Sequence, residues 1–254
     1  MGRKKLIVAN WKMNPASAAE ARVLFSRTKQ AGARLENVET VICPPFSYIG
    51  IFAHTGTIRV RLGAQDVFWA NTGRATGEVS PEMLNDIGVS YVIVGHSERR
   101  ALGETDEIVS KKLKAVLAEG MIPIVCIGER ERDTEGAYFE TLKSQIAASF
   151  SGLTKAQFRD IVIAYEPLWA IGKSARDAAE PRVIRETDIF IRKVLADLLG
   201  EETAKLPRIL YGGSAEEANT TAILTAGGVS GLLVGHKSLD AEEFAMMLKA
   251  ANVV

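Results

Sequence analysis

The chain has 254 residues, 47% of them hydrophobic and 24% charged, and its 31 basic and 31 acidic residues give a formal net charge of zero. That balance argues against a general nucleic-acid or anionic-membrane binder, and no window approaches the length of a membrane span. The length suits one domain, residues 1–254, whose core needs no disulfide staples.

In chain order, "MGRKKLIVANWK" opens basic, but its apolar run is too short for a signal peptide. Gly2 also lacks the Ser or Thr of a myristoylation signal, so a cytoplasmic protein is expected. Short β-branched runs then recur: "LIVAN" (6–10), "TVIC" (40–43), "IRVRLGAQ" (58–65) and "YVIVG" (91–95). The series continues with "IPIVCIG" (122–128), "IVIAYE" (161–166), "RILYG" (208–212) and "GLLVG" (231–235). Between them, residues 103–119 place Ile108, Val109, Leu113, Val116 and Leu117 on one helical stripe, with Gly120 as a stop. Residues 183–199 repeat that pattern and end at Gly200, and "SPEML" (80–84) offers an N-cap Ser followed by Pro. Cys43 and Cys126 sit inside apolar runs and read as buried thiols in a reducing compartment.

Continuous apolar strands imply burial on both faces, and their alternation with helices implies a parallel sheet. Eight such units fit a closed parallel (β/α)8 barrel of the α/β class better than a doubly wound sheet. No Gly-x-Gly-x-x-Gly follows the first strand, which weakens the dinucleotide-binding alternative.

In a parallel barrel the functional groups collect where strands end. The runs here end in "NWK", "PPF", "AQD", "GHSE", "GE", "EPLW", "GGS" and "GHKS". Lys12, His96 and Glu166 thus share one rim, whereas His54, in "FAHTG", reads as structural. A fixed cation, an imidazole and a carboxylate base suit proton abstraction beside a carbonyl, with the developing enolate oxygen stabilised by the other two. "YGGS" (211–214) and "LLVGHKS" (232–238) read as an anion cradle of close backbone N–H groups. The three histidines are far apart and there is no Cys cluster, so neither a metal nor a cofactor is expected.

From "ANWKMN" to "LVGHKSL" the chain resembles the triosephosphate isomerase family, most specifically in "YVIVGHSERR" and "AYEPLWAIG". "TGEVSPEML" and "PIVCIGE" agree in order and spacing. The resemblance implies a TIM barrel that interconverts dihydroxyacetone phosphate and D-glyceraldehyde 3-phosphate through an enediol(ate). Glu166 matches the base and His96 the electrophile, Asn10 and Lys12 contact substrate oxygens, and Glu98 is a supporting acid beside Lys12. A helical turn beginning at "SERR" would put its positive end at His96 and disfavour imidazolium. Gly172, Ser214, Gly235 and His236 match the phosphate contacts, the last two through backbone N–H.

Residues 167–179 correspond to a lid over the substrate, and the loop 70–80 to one that carries Thr76 into a second subunit, which implies a homodimer. Two stretches depart from the family pattern. Lys173, Ser174, Ala175, Arg176 and Asp177 stand where Thr-Gly-Lys-Thr-Ala is usual, and Gly235-His236-Lys237-Ser238 replaces Gly-Gly-Ala-Ser. His236 and Lys237 either leave the phosphate to the backbone or add charge beside it. A sister aldose–ketose isomerase acting on a four-carbon phosphate, and a phosphate-binding barrel without turnover, are the alternative readings.

Overall fold

In the computed structural model, residues 3–133, 135–173 and 178–254 are described. Eight parallel strands, β1 (Lys5–Asn10), β2 (Val38–Cys43), β3 (Val60–Ala64), β4 (Val89–Val94), β5 (Ile122–Ile127), β6 (Val162–Tyr165), β7 (Arg208–Tyr211) and β8 (Gly231–Val234), form a barrel in sequential order. It closes through β1 and β8, in the register Leu6↔Gly231 to Ala9↔Val234.

The unbroken apolar runs follow from where each face goes. Leu6 and Val8 of β1, Val41 and Cys43 of β2, and Tyr91 and Ile93 of β4 point into the barrel and form one cluster. The alternate residues, Ile7 and Ala9, Ile42, Val92 and Val94, pack outward under the helices in a second, larger cluster. A strand covered on both sides is mostly apolar along its length, and the polar exceptions such as Glu39 and Arg208 lie towards the amino-terminal ends of their strands.

Both helices expected from periodicity are present, with shifted starts. The first spans Asp106–Ala118 rather than 103–119, because Thr105 is its N-cap and accepts the Ile108 N–H. Val109, Leu113 and Val116 of its stripe are buried, whereas Ile108 and Leu117 are half-buried. The second begins at Pro181, two residues earlier than expected, because proline at the first helical position needs no N–H partner. Ser80 caps the helix Pro81–Asp86 by accepting the Met83 N–H at 3.2 Å. His54 lies on an exposed turn before β3 with φ of 55°.

The amino-terminal mouth of the barrel is sealed by polar groups that satisfy one another. Tyr91 donates to Glu39 at 2.7 Å, and the Arg208 guanidinium donates to the Tyr91 hydroxyl at 2.7 Å and to Glu39 at 2.9 Å. Burial pushes the Tyr91 phenol up to about 12, so it stays a neutral donor. That leaves the carboxyl-terminal rim as the open end.

Closure also constrains Gly231. A Cβ there would lie 1.8 Å from the Leu6 carbonyl oxygen, so β8 meets β1 at a spacing that only glycine permits. Gly231→Ala is expected to lower stability by about 3 kcal/mol in urea denaturation, the upper range for overpacking. Gly50→Ala, at a helical position with open space around it, should stay within about 1 kcal/mol of wild type. Equal midpoints for the two variants would contradict this packing.

Candidate functional site

At the open rim, a cavity of about 280 Å³ is lined by Asn10, the last residue of β1, by Lys12 just beyond it, by His96 after β4 and by Glu166 after β6. Its far wall is made of Gly172, Ser214, Gly235 and His236, from the turns after β6, β7 and β8. Glu98 reaches this group through Lys12, with its carboxylate 2.7 Å from the Lys12 ammonium. Thr76 stands apart on an exposed loop and does not line the cavity. Of the stretch 167–179, expected to form a lid, Ser174, Ala175, Arg176 and Asp177 lie outside the described residues.

Lys12 adopts a left-handed backbone, φ 54°, which a side-chain-bearing residue takes only under constraint. Two side chains hold it. The Lys12 N–H donates to Asn10 Oδ1 at 3.0 Å, and Gln65 Nε2 donates to the Lys12 carbonyl at 2.9 Å and to that of Cys43 at 2.9 Å. Sequence reading singled out Asn10 but not Gln65, although Gln65 belongs to the "AQD" strand end. Asn10 is buried and borders the cavity.

His96 lies two residues past the end of β4 and is the N-cap residue of the turn Ser97–Ala101, where its Nδ1 accepts the Glu98 N–H at 3.2 Å. An accepting Nδ1 places the ring proton of the neutral imidazole on Nε2. Nε2 faces Glu166 Oε1 at 3.0 Å. The other Glu166 oxygen accepts the Ser97 N–H at 2.9 Å. Glu166 is only 2% exposed and His96 6%, so both are held in a nearly dry environment.

Support for His96 comes from behind the rim. The buried Glu104 carboxylate accepts the Gly95 N–H at 2.8 Å and also pairs with the buried Lys112 ammonium, which bonds Asp66 at 2.6 Å. Arg100 donates to the Gly95 carbonyl at 2.7 Å and to that of Cys126 at 3.1 Å, tying β4 to β5. Burial raises both thiols, Cys43 and Cys126, well above the ordinary range, with the Glu166 carboxylate adding to the effect at Cys126. They are free, protonated packing residues rather than nucleophiles.

The stem of the segment after β6 is anchored as well. Buried Glu129 accepts from Tyr165 and from the Trp169 indole, both at 2.8 Å, and the Ser214 hydroxyl accepts the Lys173 N–H at 2.9 Å. Among the described residues there is no group of His, Cys, Asp and Glu able to hold a metal ion, and no helix long and apolar enough to cross a membrane.

Fold and site together define a closed parallel barrel in which an ammonium, an imidazole and a carboxylate share one cavity where the strands end. A family model described as triosephosphate isomerase matches residues 5–251. The chain is 42% identical to a triosephosphate isomerase of Dehalococcoides mccartyi, over 99% of this chain and 98% of that one. It is 43% identical to those of Solibacter usitatus (97% of this chain, 99% of the other) and Moorella thermoacetica (97% and 98%). The chain belongs to the triosephosphate isomerase family.

Glu166 has little room to move. A Cβ on Gly212 would lie 2.8 Å from Glu166 Cγ. Gly212→Ala should therefore displace the carboxylate and lower isomerase turnover about 100-fold, as an ångström-scale misplacement does. Steady-state kinetics on a variant with unchanged thermal midpoint is the check, and unaltered turnover would count against this placement of Glu166.

Proposed function

We propose that the protein, acting as one domain, interconverts dihydroxyacetone phosphate and D-glyceraldehyde 3-phosphate by proton transfer through an enediol(ate). The observation that carries this reading is the 3.0 Å approach of His96 Nε2 to Glu166 Oε1 in a cavity that also contains Lys12. At that distance the two groups bond each other, and a carbonyl–hydroxyl unit entering the cavity would displace that bond and meet both the carboxylate and the imidazole N–H. The cavity, at about 280 Å³, suits a small substrate.

Glu166 removes the proton from the carbon beside the carbonyl, and the electrons move onto the carbonyl oxygen. His96, through Nε2–H, and Lys12, through its ammonium, stabilise the oxygen as charge develops. Proton exchange between the two oxygens through His96 moves the negative charge to the other oxygen, so that the carbonyl re-forms there as Glu166 returns a proton to the neighbouring carbon. Asn10 contributes by orienting Lys12 and contacting substrate oxygen. Glu98 keeps the Lys12 ammonium aimed across the rim. The phosphate rests on the N–H groups of Gly172, Gly235 and His236 and on the Ser214 hydroxyl, and the segment 167–179 serves as a lid that excludes water. No cofactor takes part in this scheme, and a cytoplasmic setting fits two free, buried thiols.

The working unit in this proposal is a homodimer. Met13 beside Lys12 is 93% exposed, and Trp69 and Met83 also leave apolar surface uncovered. The base of the 70–80 loop is braced on its own subunit, by Asn71 donating to Glu119 at 2.7 Å and by Lys111 lying 5.8 Å from the centre of the Trp69 ring. Its tip, with Thr76, is free to dock on a second copy.

Glu166→Ala should lower kcat by about 10²–10⁴-fold, the usual cost of losing a general base, with a smaller effect on KM. A coupled assay on three- and four-carbon sugar phosphates reads this and substrate choice together; near-normal turnover in the variant would overturn the assignment. Thr76→Arg should shift sedimentation from twice the 27.5 kDa chain mass to one chain and depress turnover. A wild-type protein that sediments as a fully active monomer would exclude the dimer.

A further inference from the structure

Backbone N–H groups and one serine account for an anion cradle, but charged side chains line the cavity too: Lys12 and Lys173, and, from the turns after β7 and β8, one carboxylate and one further ammonium. Glu216, on the turn after β7, and Lys237, on the turn after β8, both border the cavity. The Lys237 ammonium lies 3.6 Å from Glu216 Oε1 and 3.0 Å from Glu243 Oε1. Glu243 belongs to the first turn of the helix Ala241–Asn252, so Lys237 is tethered from outside the cavity by one carboxylate and faces another at its edge. All three side chains are partly exposed, which makes their charge effects modest and sensitive to salt.

A carboxylate beside a site for a phosphate dianion is electrostatically adverse. At Glu216 the repulsion would act on every phosphorylated ligand that entered. An ammonium next to it cancels that charge locally, and a second carboxylate placed farther from the ligand keeps the ammonium where it is needed. Hydrogen bonding to Glu243 raises the Lys237 ammonium above its ordinary range, so it remains charged throughout the neutral region.

We propose that Lys237 is an affinity-determining residue of the cradle: it neutralises Glu216 and so admits a phosphate monoester dianion, with Glu243 holding it in position. The inference rests on the phosphate reading of this cavity and deepens it by assigning the side-chain charges that the backbone contacts leave out.

The test uses inorganic phosphate and does not require turnover. Titration calorimetry at low ionic strength should show Lys237→Ala binding phosphate about fivefold more weakly than wild type, as for a partly exposed ion pair. The loss should shrink as salt is added. Glu216→Gln/Lys237→Ala should recover most of the affinity, and Glu216→Gln alone, which leaves Lys237 in place, should bind at least as tightly as wild type. Phosphate affinity indifferent to Lys237→Ala, or a double variant as weak as the single one, would overturn the proposal. Phosphate binding with the expected charge dependence but without isomerase turnover would instead refute the catalytic reading and leave this one standing.

Discussion

Burial of both faces of every strand is the constraint from which the rest follows. Once β1 and β8 close the cylinder, side chains of each strand point alternately into the interior and under the helices, and neither place tolerates an unpaired charge. Polar groups are left with the two ends. At the amino-terminal end Glu39, Tyr91 and Arg208 satisfy one another. At the other end Asn10, Lys12, His96 and Glu166 face a shared cavity. The site is thus the complement of the core: it occupies the rim that the barrel cannot fill with apolar atoms.

The rim groups are also held rigidly, and that rigidity has local causes. Lys12 keeps an unfavourable backbone conformation because Asn10 and Gln65 bind its N–H and C=O. His96 cannot tilt without giving up the Glu98 N–H, and Glu166 cannot turn without giving up the Ser97 N–H. Buried Glu104 and Lys112 brace the strand end just before His96. In the proposed reaction, such pre-organisation would leave little reorganisation of Lys12 for the moment when charge develops on a substrate oxygen.

How much of this was legible in the sequence depends on the kind of interaction. The strands were readable because two-sided burial writes continuous β-branched runs, and each observed strand falls within a few residues of its run. Helix starts were less so: Thr105 and Pro181 set them, and the apolar stripe alone does not show where a cap will act. The short helix Glu217–Thr225 was not picked out, being threonine-rich and without a sharply polar face. Sequence brought Lys12, His96 and Glu166 to one rim because each ends an apolar run. It could not show that Lys112, on an otherwise amphipathic helix, is buried, since its partners Asp66 and Glu104 are assembled only by the fold. The Ser97 N–H that holds Glu166 and the Gln65 amide that holds Lys12 were hidden for a similar reason: one is a backbone group, the other a side chain just past the end of β3.

In the proposed reaction Glu166 carries a proton between adjacent carbons of a bound phosphorylated sugar, with His96 and Lys12 stabilising the intermediate. The most direct measurement is isomerisation in D2O, with the product analysed by NMR. Transfer through a carboxyl group open to exchange places deuterium on the carbon that receives the proton. Product that retains the original hydrogen at full occupancy, as a direct hydride shift between the two carbons would give, would contradict it.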